Sequence, residues 1–550
     1  MCNGRVFPAW QADAIRKLAD VSGVEIALLI IRDGQARNAQ SRYARLADLP
    51  HLFWTLFNKG YVERRSAASR AVDLKNELGA VPDIRCRTIP EGKYGERFSD
   101  EDLAAIRSHQ LDLILRFGFG IIKGEILVSA TYGVWSFHHG DERHYRGQPP
   151  GFWELMDKES VVGAILQRLT DRLDAGVVLY RGQFRATLHS YRRTRDDIFF
   201  GSSDWPSLVV RQIQAGDTQT VTAQPSSTDA PVKRSPTNRQ TLTFLMRQAR
   251  DFITSQWRGL TKAAKWTVGV ADVPIESFLS GDLPPIKWVA EQGRTRYLAD
   301  PFGIDTDRGL IVLAEDYDHK EHRGVISALN VDGDETPRQV LDIGVHASYP
   351  YTFTLDDTIY CVPEAYQTGQ VGLYRATRFP DEWQLVGSLL DDVEALDPTV
   401  FQHQDRWWLF CSLRGRDSNT KLHVYHAPNL EGPWEPHWLN PVKTDIRSSR
   451  PAGTPFAYEG DLYRPAQDGS SSYGGGVTIT RIDELTPQRF SEVVVATITP
   501  SPSGKYKDGI HTISAAGSRT VVDGRRDTFI LASGMRELGS RMDRIFGKGA

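Results

Sequence analysis

Short apolar runs of strand length alternate with amphipathic segments over roughly the first 200 residues. Helical spacing is found in residues 8–20, 50–62 and 98–108. Apolar runs of strand length are found in residues 24–31, 83–89, 111–122, 133–137 and 162–169. An alternation of strand and helix is typical of an α/β domain built on a parallel sheet. We therefore predict an α/β domain over residues 1–215.

The pattern loosens after this region. Residues 218–238 contain three prolines, many Ser and Thr residues and almost no large apolar side chain, which is typical of a flexible interdomain linker. Residues 239–260 return to helical spacing. The sequence therefore predicts a linker and a connecting helix over residues 216–262.

A motif then recurs about every 50 residues, each time followed by short strand-like runs and turns. It is marked by Pro301, Pro350, Pro398 and Pro451, which lie 49, 48 and 53 positions apart, and by His511, 60 positions later. A period of this length with several strands per repeat is typical of propeller blades. We predict an all-β five-bladed β-propeller over residues 263–535, followed by a C-terminal tail over residues 536–550.

Composition narrows the classes of function. The formal net charge is −3 and 25% of residues are charged, so nucleic acid is not expected as the main partner. Four cysteines, Cys2, Cys86, Cys361 and Cys411, lie far apart without metal-type spacing, and we expect reduced thiols and no metal. The first residues lack the layout of a signal peptide, and no apolar run approaches ~18 residues. These features favour a cytoplasmic protein without a membrane span.

Polar residues follow successive apolar runs in the N-terminal half, where open α/β sheets carry their chemistry. Ser136-Phe137-His138 ends one run, Arg146-Gly147 lies in the next loop, and Leu173-Asp174-Ala175-Gly176 follows some 35 residues after the first motif. This order resembles the folate-dependent formyltransferases, the superfamily of methionyl-tRNA and amino-sugar formyltransferases. The resemblance implies a Rossmann-like parallel sheet over the first predicted domain.

The same resemblance implies roles for individual residues. His138 and Asp174 would together take a proton from an attacking amine, and Ser136 stands where the family has an Asn that holds the formyl oxygen. The implied formyl donor is 10-formyltetrahydrofolate. Its pocket would include Phe117, Gly118, Phe119, Gly120, Arg146 and Gly147. A serine cannot reproduce an amide's geometry, and loss of an oxyanion donor can lower a rate ~10²–10³-fold.

Simpler interpretations stay open for these residues. His138 and His139 could line a polar loop, and Arg146-Gly147 could be a surface turn before Pro149-Pro150. The family also opens with a strand before the first helix, and residues 1–7 are short for one. Either the start codon is misassigned or the edge of the sheet is incomplete.

The repeats carry a second resemblance. The motifs HASYPY, VPEAY, LDPTVF, SRPAGTPF, LYRPAQD, YGGG and DGIHT resemble the N-terminal domain of plant glucosamine inositolphosphorylceramide transferase. The architecture resembles the five-bladed furanosidase-type glycosidases, whose acidic residues ring a central sugar pocket. The residues that we expect at the propeller axis are Asp300, Glu364, Asp397, Arg450, Arg464, Asp468 and His511. Alternatively, the Asp of each Asp-Pro pair caps a strand and bonds local backbone.

Three hypotheses follow for function. The leading one is transfer of a formyl group to an amine, as on an amino sugar or glycan precursor, with a propeller that recognises the carbohydrate. The second places glycosidase or glycosyl-transfer chemistry in the propeller beside a degenerate formyltransferase domain. The third is a glycan-binding protein in which neither site is catalytic. The sugar assignment rests on the combination of the two domains.

Overall fold

The computed structural model describes residues 1–33, 49–92, 95–171, 176–293 and 295–529. It divides into an N-terminal unit, Met1–Ile253, and a propeller unit, Thr254–Ala550. Two of the sequence predictions, Asp174 and the tail over residues 536–550, lie outside the described residues.

The N-terminal unit is an α/β structure. Its helices are α1 (Ala9–Ala19), α2 (Leu52–Phe57), α3 (Asp100–Arg107), α4 (Phe152–Asp157), α5 (Tyr191–Gly201), α6 (Trp205–Gln214), α7 (Gln219–Thr222) and α8 (Asn238–Thr261), which crosses the division between the units. Its strands are β1 (Val6–Pro8), β2 (Leu29–Arg32), β3 (Ala71–Asp73), β4 (Asp83–Cys86), β5 (Ile89–Glu91), β6 (Gly95–Arg97), β7 (Ile114–Arg116), β8 (Ile121–Ile122), β9 (Val134–His138), β10 (Arg146–Gly147), β11 (Val161–Arg168), β12 (Val177–Arg185) and β13 (Val232–Lys233). Among the described helices, none is both long and apolar enough to cross a membrane.

The main sheet is mixed, which corrects the prediction of a parallel sheet. Strands β2 and β4 are parallel, as are β7 and β9, but β11 runs antiparallel to both β9 and β12. Only residues 169–176 separate β11 from β12. A connection this short returns the chain antiparallel, whereas a parallel crossover needs about a dozen residues or more.

The first two residues join the halves of this sheet. The Cys2 amide donates to the Ile30 carbonyl at 2.9 Å on one side, and the Met1 amino group donates to the Leu115 carbonyl at 2.8 Å on the other. The sequence predicted that residues 1–7 are too short for a first strand. In the structure, only Met1 and Cys2 stand between the two halves of the sheet. This bridge sets β2 and β4 beside β7, β9, β11 and β12.

The predicted flexible linker is packed on the N-terminal unit instead. Strand β13 pairs in parallel with β10, so that Arg146 faces Val232 and Gly147 faces Lys233. The Arg146 guanidinium also donates to the Ala230 carbonyl at 3.1 Å. Composition suggested free chain, but backbone hydrogen bonds do not need apolar side chains, so a polar segment can still be held to a sheet.

The propeller unit contains five β-sheets in its described residues, each with at least four strands, and in four of them the strands follow chain order. The blade sheets are β16 (Arg296–Thr306), β17 (Gly309–Asp318), β18 (Arg323–Asn330) and β19 (Arg338–Leu341); β20 (Ser348–Leu355), β21 (Thr358–Glu364), β22 (Gln370–Arg378) and β23 (Glu382–Asp391); β24 (Ala395–His403), β25 (Arg406–Leu413), β26 (Lys421–Ala427), β27 (Glu435–Pro436) and β28 (Lys443–Thr444); β29 (Phe456–Tyr458), β30 (Asp461–Asp468), β31 (Gly476–Leu485) and β32 (Phe490–Ile498). The closing sheet combines β14 (Lys262–Ala271) and β15 (Lys287–Trp288) with β33 (Ile513–Ala516) and β34 (Arg519–Phe529).

The closing sheet explains how the ring of blades is held shut. Strand β14, near the start of the unit, pairs along its whole length with β34, near the end of its described part. This joins the two ends of the ring through backbone hydrogen bonds and leaves no open edge between first and last blades. The five-bladed architecture predicted from the spacing of the repeats is therefore present.

Candidate functional site

The recurring Asp-Pro and Tyr-Pro pairs are bulges at the start of the inner strands. The pairing register slips between Ala299 and Phe302 in β16, and it slips at the corresponding places in β20 and β24. The residue before each proline has a positive φ: 50° at Asp300, 42° at Tyr349 and 50° at Asp397. A bulge re-aims side chains and leaves a residue unpaired, so a proline there, which lacks an N–H, removes no ladder hydrogen bond. The repeat thus places Asp300 and Asp397 in equivalent positions of two blades.

Asp397 is held on all sides in a buried hydrogen-bond network. The Arg450 guanidinium donates to it twice, from Nε to Oδ2 at 2.5 Å and from Nη2 to Oδ1 at 3.1 Å. The Gln467 amide donates to Oδ2 at 2.8 Å. The Asp397 backbone N–H donates to Oε2 of Glu364 at 2.9 Å. Asp397, Gln467 and Glu364 come from different strands and Arg450 from a loop, and they meet because the blades converge on the axis.

A second buried network centres on Asp523 in β34. Its Oδ1 accepts from the backbone N–H groups of His511 and Thr512, at 2.8 and 3.1 Å, and Oδ2 accepts from the His511 ring. The Thr512 hydroxyl donates to Oδ1 of Asp300 at 2.8 Å. Burial opposes protonation of His511, but Asp523 and Asp300 raise its pKa above the ordinary value. We therefore assign His511 and Asp523 as an ion pair.

Three carboxyl groups of this region keep hydrogen-bonding capacity to spare. Burial, together with neighbouring carboxylates, raises the pKa of Asp300 to about 6 and raises those of Glu315 and Glu364 well above their ordinary values. In the described part of the chain, Glu315 accepts no hydrogen bond, although its side chain is 8% exposed; the His346 ring nitrogen nearest to it is 3.8 Å away. Nearly buried polar groups usually have partners. A group that lacks one inside a polar cluster indicates a place for a ligand.

Two aromatic side chains border the cluster. The Trp266 ring stacks on His511 with centroids 3.9 Å apart, and the Tyr473 ring meets His511 edge-on at 5.5 Å. Arg450 lies 5.5 Å from the Tyr473 ring centre. Tyr473 is 43% exposed, so its face can be reached by a ligand.

Two residues predicted at the axis make other contacts. Arg464 donates to both carboxylate oxygens of Glu492, at 2.7 and 2.6 Å, and to the Ser448 carbonyl at 2.6 Å. Asp468 accepts locally from the Ser470 N–H at 2.9 Å. Arg464 is therefore part of a buried ion-pair network with Glu492 and Lys443, which corrects its assignment to the axis. We call the remaining charged group the axial cluster: Asp300, Glu315, Glu364, Asp397, Arg450, His511 and Asp523.

Sequence reasoning missed Glu315 and Asp523. Both lie in apolar runs of second or last strands, GLIVLAEDYD and RTVVDG, rather than in the recurring inner-strand motif. A charge embedded in an otherwise buried strand was the available signal, because such a strand has no solvent face on which to place it.

The Asp300, His511 and Asp523 side chains bring three potential metal-ligand atoms within 4.8 Å of one another. The His511 ring nitrogen that would bind a metal instead contacts the Asp523 carboxylate. The three side chains are thus linked to one another within the second network.

In the N-terminal unit, His138 ends β9, and its Nε2 lies 3.1 Å from the Tyr145 carbonyl, the geometry of a donated hydrogen bond. The neighbouring His139 packs among aromatic rings, including those of Trp10 and Phe199, and burial lowers its pKa well below the ordinary value. Ser136 accepts a hydrogen bond from Arg116 at 2.8 Å. Of the three residues predicted to act in formyl transfer, His138 and Ser136 thus lie on one strand.

The residues predicted to bind folate are engaged with other parts of the chain. Phe119 packs against Phe98 with centroids 5.3 Å apart, and the Gly120 N–H donates to Glu96. Phe117 and Gly118 contact the N-terminal segment: Phe117 lies 5.7 Å from the Trp10 ring, and a side chain at Gly118 would meet the Cys2 backbone. At Gly147, where φ is 91°, a Cβ would lie 2.1 Å from the Lys233 carbonyl oxygen, so only glycine fits beneath β13.

Comparisons with known proteins point to the propeller. The family described as "Glucosamine inositolphosphorylceramide transferase 1, N-terminal" matches residues 288–511. This match lies wholly within the propeller unit. Apart from Asp523, it includes every charged residue of the axial cluster.

Individual relatives agree with that match. Glucosamine inositolphosphorylceramide transferase 1 of Arabidopsis thaliana is 30% identical over 248 residues, 44% of this chain and 31% of the relative. The protein of the same name from Oryza sativa subsp. japonica is 38% identical over 160 residues, 28% of this chain and 21% of the relative. This chain therefore spans less than a third of the length of either relative.

Two further similarities are to a formyltransferase and to a glycosidase structure. Methionyl-tRNA formyltransferase of Synechococcus sp. (strain RCC307) is 29% identical over 111 residues, 20% of this chain and 31% of the relative. Among solved structures, a β-xylosidase/α-arabinofuranosidase from a compost microbial metagenome is 12% identical with a TM-score of 0.31, over 42% of this chain and 91% of that chain.

Proposed function

We propose that the propeller binds an amino sugar, or a glycan that carries one, at its axial cluster, and that this binding serves glycosyl transfer. The observation that carries the proposal is the unsatisfied hydrogen-bonding capacity of Asp300, Glu315 and Glu364. The positive side chains nearest to Glu364 and Asp300 bond more closely to other partners. Arg450 lies 3.8 Å from Glu364 but bonds to Asp397, and His511 lies 3.6 Å from Asp300 but contacts Asp523 more closely. The three remaining carboxyl groups therefore favour a ligand that donates hydrogen bonds or carries positive charge.

A sugar fits this chemistry better than an apolar ligand does. Sugar hydroxyl groups donate and accept, and a sugar ammonium group donates three hydrogen bonds with positive charge. Tyr473 is exposed beside the cluster and offers an aromatic face on which the C–H side of a sugar ring can pack. The family that matches residues 288–511 and the two relatives carry the name glucosamine inositolphosphorylceramide transferase 1, which supports the amino sugar.

Hydrolysis at the axis is the less favoured activity. It needs two carboxyl groups free to act as acid and base on opposite sides of a glycosidic bond. Asp397 cannot be one of them, because Arg450 and Gln467 occupy its two oxygens, so that such a pair would have to come from Asp300, Glu315 and Glu364. Asp300, whose pKa is about 6, remains a suitable acid or base if the axis is catalytic.

Calorimetric titration of the full chain with glucosamine, N-acetylglucosamine and glucose tests the proposal. We expect glucosamine to bind most tightly and Glu315→Gln to weaken it by about tenfold or more. Glu335→Gln is the matched control, because Glu335 is exposed in the same blade. Absence of binding by all three sugars would overturn the proposal. Sugar release from a nitrophenyl glycoside that depends on Asp300 would establish hydrolysis instead.

The second candidate is formyl transfer from 10-formyltetrahydrofolate to an amine in the N-terminal unit. Similarity to a methionyl-tRNA formyltransferase supports it, as does the position of His138 at the end of a sheet strand. Phe119 and Gly147, however, are packed against other parts of the chain and do not fit a folate pocket.

Formyl transfer is tested by adding 10-formyltetrahydrofolate and glucosamine to the full chain. The candidate predicts that the donor is consumed only when the amine is present and that His138→Ala abolishes consumption. His109→Ala is a control outside the motif. If 10-formyltetrahydrofolate neither binds nor reacts, this candidate fails, whereas glucosamine binding at the axis is unaffected by that result.

A further inference from the structure

A cavity of about 590 Å³ lies inside the sheet of the N-terminal unit. One wall is the segment over residues 25–28 that leads into β2, and the other is the segment over residues 111–113 that leads into β7. Leu18 of α1 and Val210 of α6 line it from the helices. The lining is largely apolar, and the cavity continues the line of the Met1–Cys2 bridge. We call it the strand slot.

The bridge shows which backbone groups face the slot. On one wall, Cys2 donates to Ile30 and accepts from Arg32, so alternate residues of this segment face inward. On the other wall, Met1 donates to Leu115 and accepts from Phe117. Both patterns are those of parallel pairing.

Farther from the bridge, the alternate residues that face the slot have no backbone pairing partner. Ile26 and Leu28 on one wall, and Leu113 on the other, make no backbone hydrogen bond within the described residues. Ile26, Leu28 and Leu113 are half-buried, and backbone N–H and C=O groups that lie away from water are almost always paired. The run over residues 24–31 was predicted to be one continuous strand, but only its last part, β2, is assigned as one. Its unpaired beginning is the wall of the slot.

We propose that the strand slot binds an extended apolar segment of polypeptide, four to six residues long, as a further strand parallel to both walls. A polypeptide would supply N–H and C=O groups to Ile26, Leu28 and Leu113, whereas an acyl chain could fill the space but would leave them unpaired. Side chains of such a strand would alternate between the two faces of the sheet. Both faces are lined by apolar residues here, which selects apolar and β-branched side chains.

The direction of the guest strand follows from the bridge. A parallel strand in the slot would run with its C-terminal end toward Met1. The Met1 amino group is buried there, and burial lowers its pKa. An amide N–H in its place would keep the hydrogen bond to Leu115 without carrying charge. A peptide joined ahead of Met1 is therefore a suitable probe.

The test uses the full chain extended ahead of Met1 by Val-Ile-Val-Leu-Val. Matched controls carry Gly-Ser-Gly-Ser-Gly or Val-Ile-Pro-Leu-Val, the second of which lacks one N–H. We expect the apolar extension alone to raise the melting temperature of the N-terminal unit by several degrees. We also expect it to slow hydrogen exchange at Ile26, Leu28 and Leu113 about tenfold or more.

Free acetyl-Val-Ile-Val-Leu-Val-amide, added to the unextended chain, should slow exchange at the same three amides. Decanoate is the competing probe. Equal effects of the apolar and Gly-Ser extensions, or protection by decanoate without protection by the peptide, would overturn the proposal. None of these readouts depends on the carbohydrate site.

Discussion

Arg450 donates two hydrogen bonds to Asp397, of 2.5 and 3.1 Å. The two residues begin consecutive repeats of the propeller. Both side chains are buried, with 10% and 3% of their surface exposed. Burial alone would lower the pKa of Arg450, but Asp397 raises it well above the ordinary value. The pair fixes two blades to each other at the axis and removes one carboxylate from the reach of a ligand.

Arg450→Met should strongly destabilise the propeller, because it leaves Asp397 buried without its cation. We expect a loss of about 3–5 kcal/mol in the free energy of unfolding. Arg447→Met is the control: Arg447 pairs with Asp445 but is 46% exposed, and exposed pairs contribute about 0–1 kcal/mol. Urea unfolding of both variants measures the difference. Equal losses would contradict the assignment, and adding Asp397→Asn to Arg450→Met should restore part of the stability.

Glu492→Gln should destabilise the propeller in a pH-dependent manner. Burial alone would raise the pKa of Glu492, but Arg464 and Lys443 lower it to about 2. A carboxyl group with a lowered pKa stabilises the fold above its ordinary pKa, and this contribution is lost as the pH falls toward 2. The variant should therefore differ from wild type most at pH 7 and least near pH 3. Glu382→Gln, in an exposed pair with Arg378, should show little difference at either pH.

Glu154→Gln should stabilise the N-terminal unit at neutral pH. Burial raises the pKa of Glu154 to about 8, and its Oε1 has no hydrogen-bond partner in the described structure. A raised pKa means that the folded state binds the proton more tightly, so stability falls as the pH rises from the ordinary value of 4.5 toward 8. The slope is about 1.4 kcal/mol per pH unit. Melting temperatures between pH 5 and 8 should fall in wild type and in Glu101→Gln, and stay nearly level in Glu154→Gln.

Glucosamine affinity should increase between pH 5 and 7. Asp300, with a pKa of about 6, loses its proton over this range and then attracts the ammonium group of the sugar. N-acetylglucosamine has no such charge, and its affinity should change little. Asp300→Asn should remove the pH dependence for glucosamine. Parallel affinity profiles for the two sugars would show that Asp300 does not face the amino group.

The blade architecture was predictable because its signal is local: a proline near the start of each inner strand, repeated at a nearly constant interval. Asp300, Asp397 and Arg450 belong to that motif, and sequence reasoning could find them. Glu315 lies in β17, which pairs with β16, and Asp523 lies in β34, which pairs with β33. Only this strand pairing brings the two residues to the same cluster. Arg464 was predicted at the axis from its place in a motif, but its partner is Glu492, which lies 28 positions away in another strand.

In the N-terminal unit, apolar runs predicted where strands lie but could not give their direction. The antiparallel β11 looks like a parallel strand in sequence because it is buried on both faces. The segment over residues 218–238 looked like a free linker, although β13 holds Arg146 and Gly147 through its backbone. Backbone pairing leaves little trace in side-chain composition.

The most direct measurement is a crystal structure of the full chain with glucosamine. The account predicts the sugar at the propeller axis, with its amino group or hydroxyl groups within hydrogen-bond distance of Glu315, Asp300 or Glu364 and its ring near Tyr473. Glucosamine bound elsewhere on the chain, with the axial carboxyl groups in no contact with it, would contradict the account.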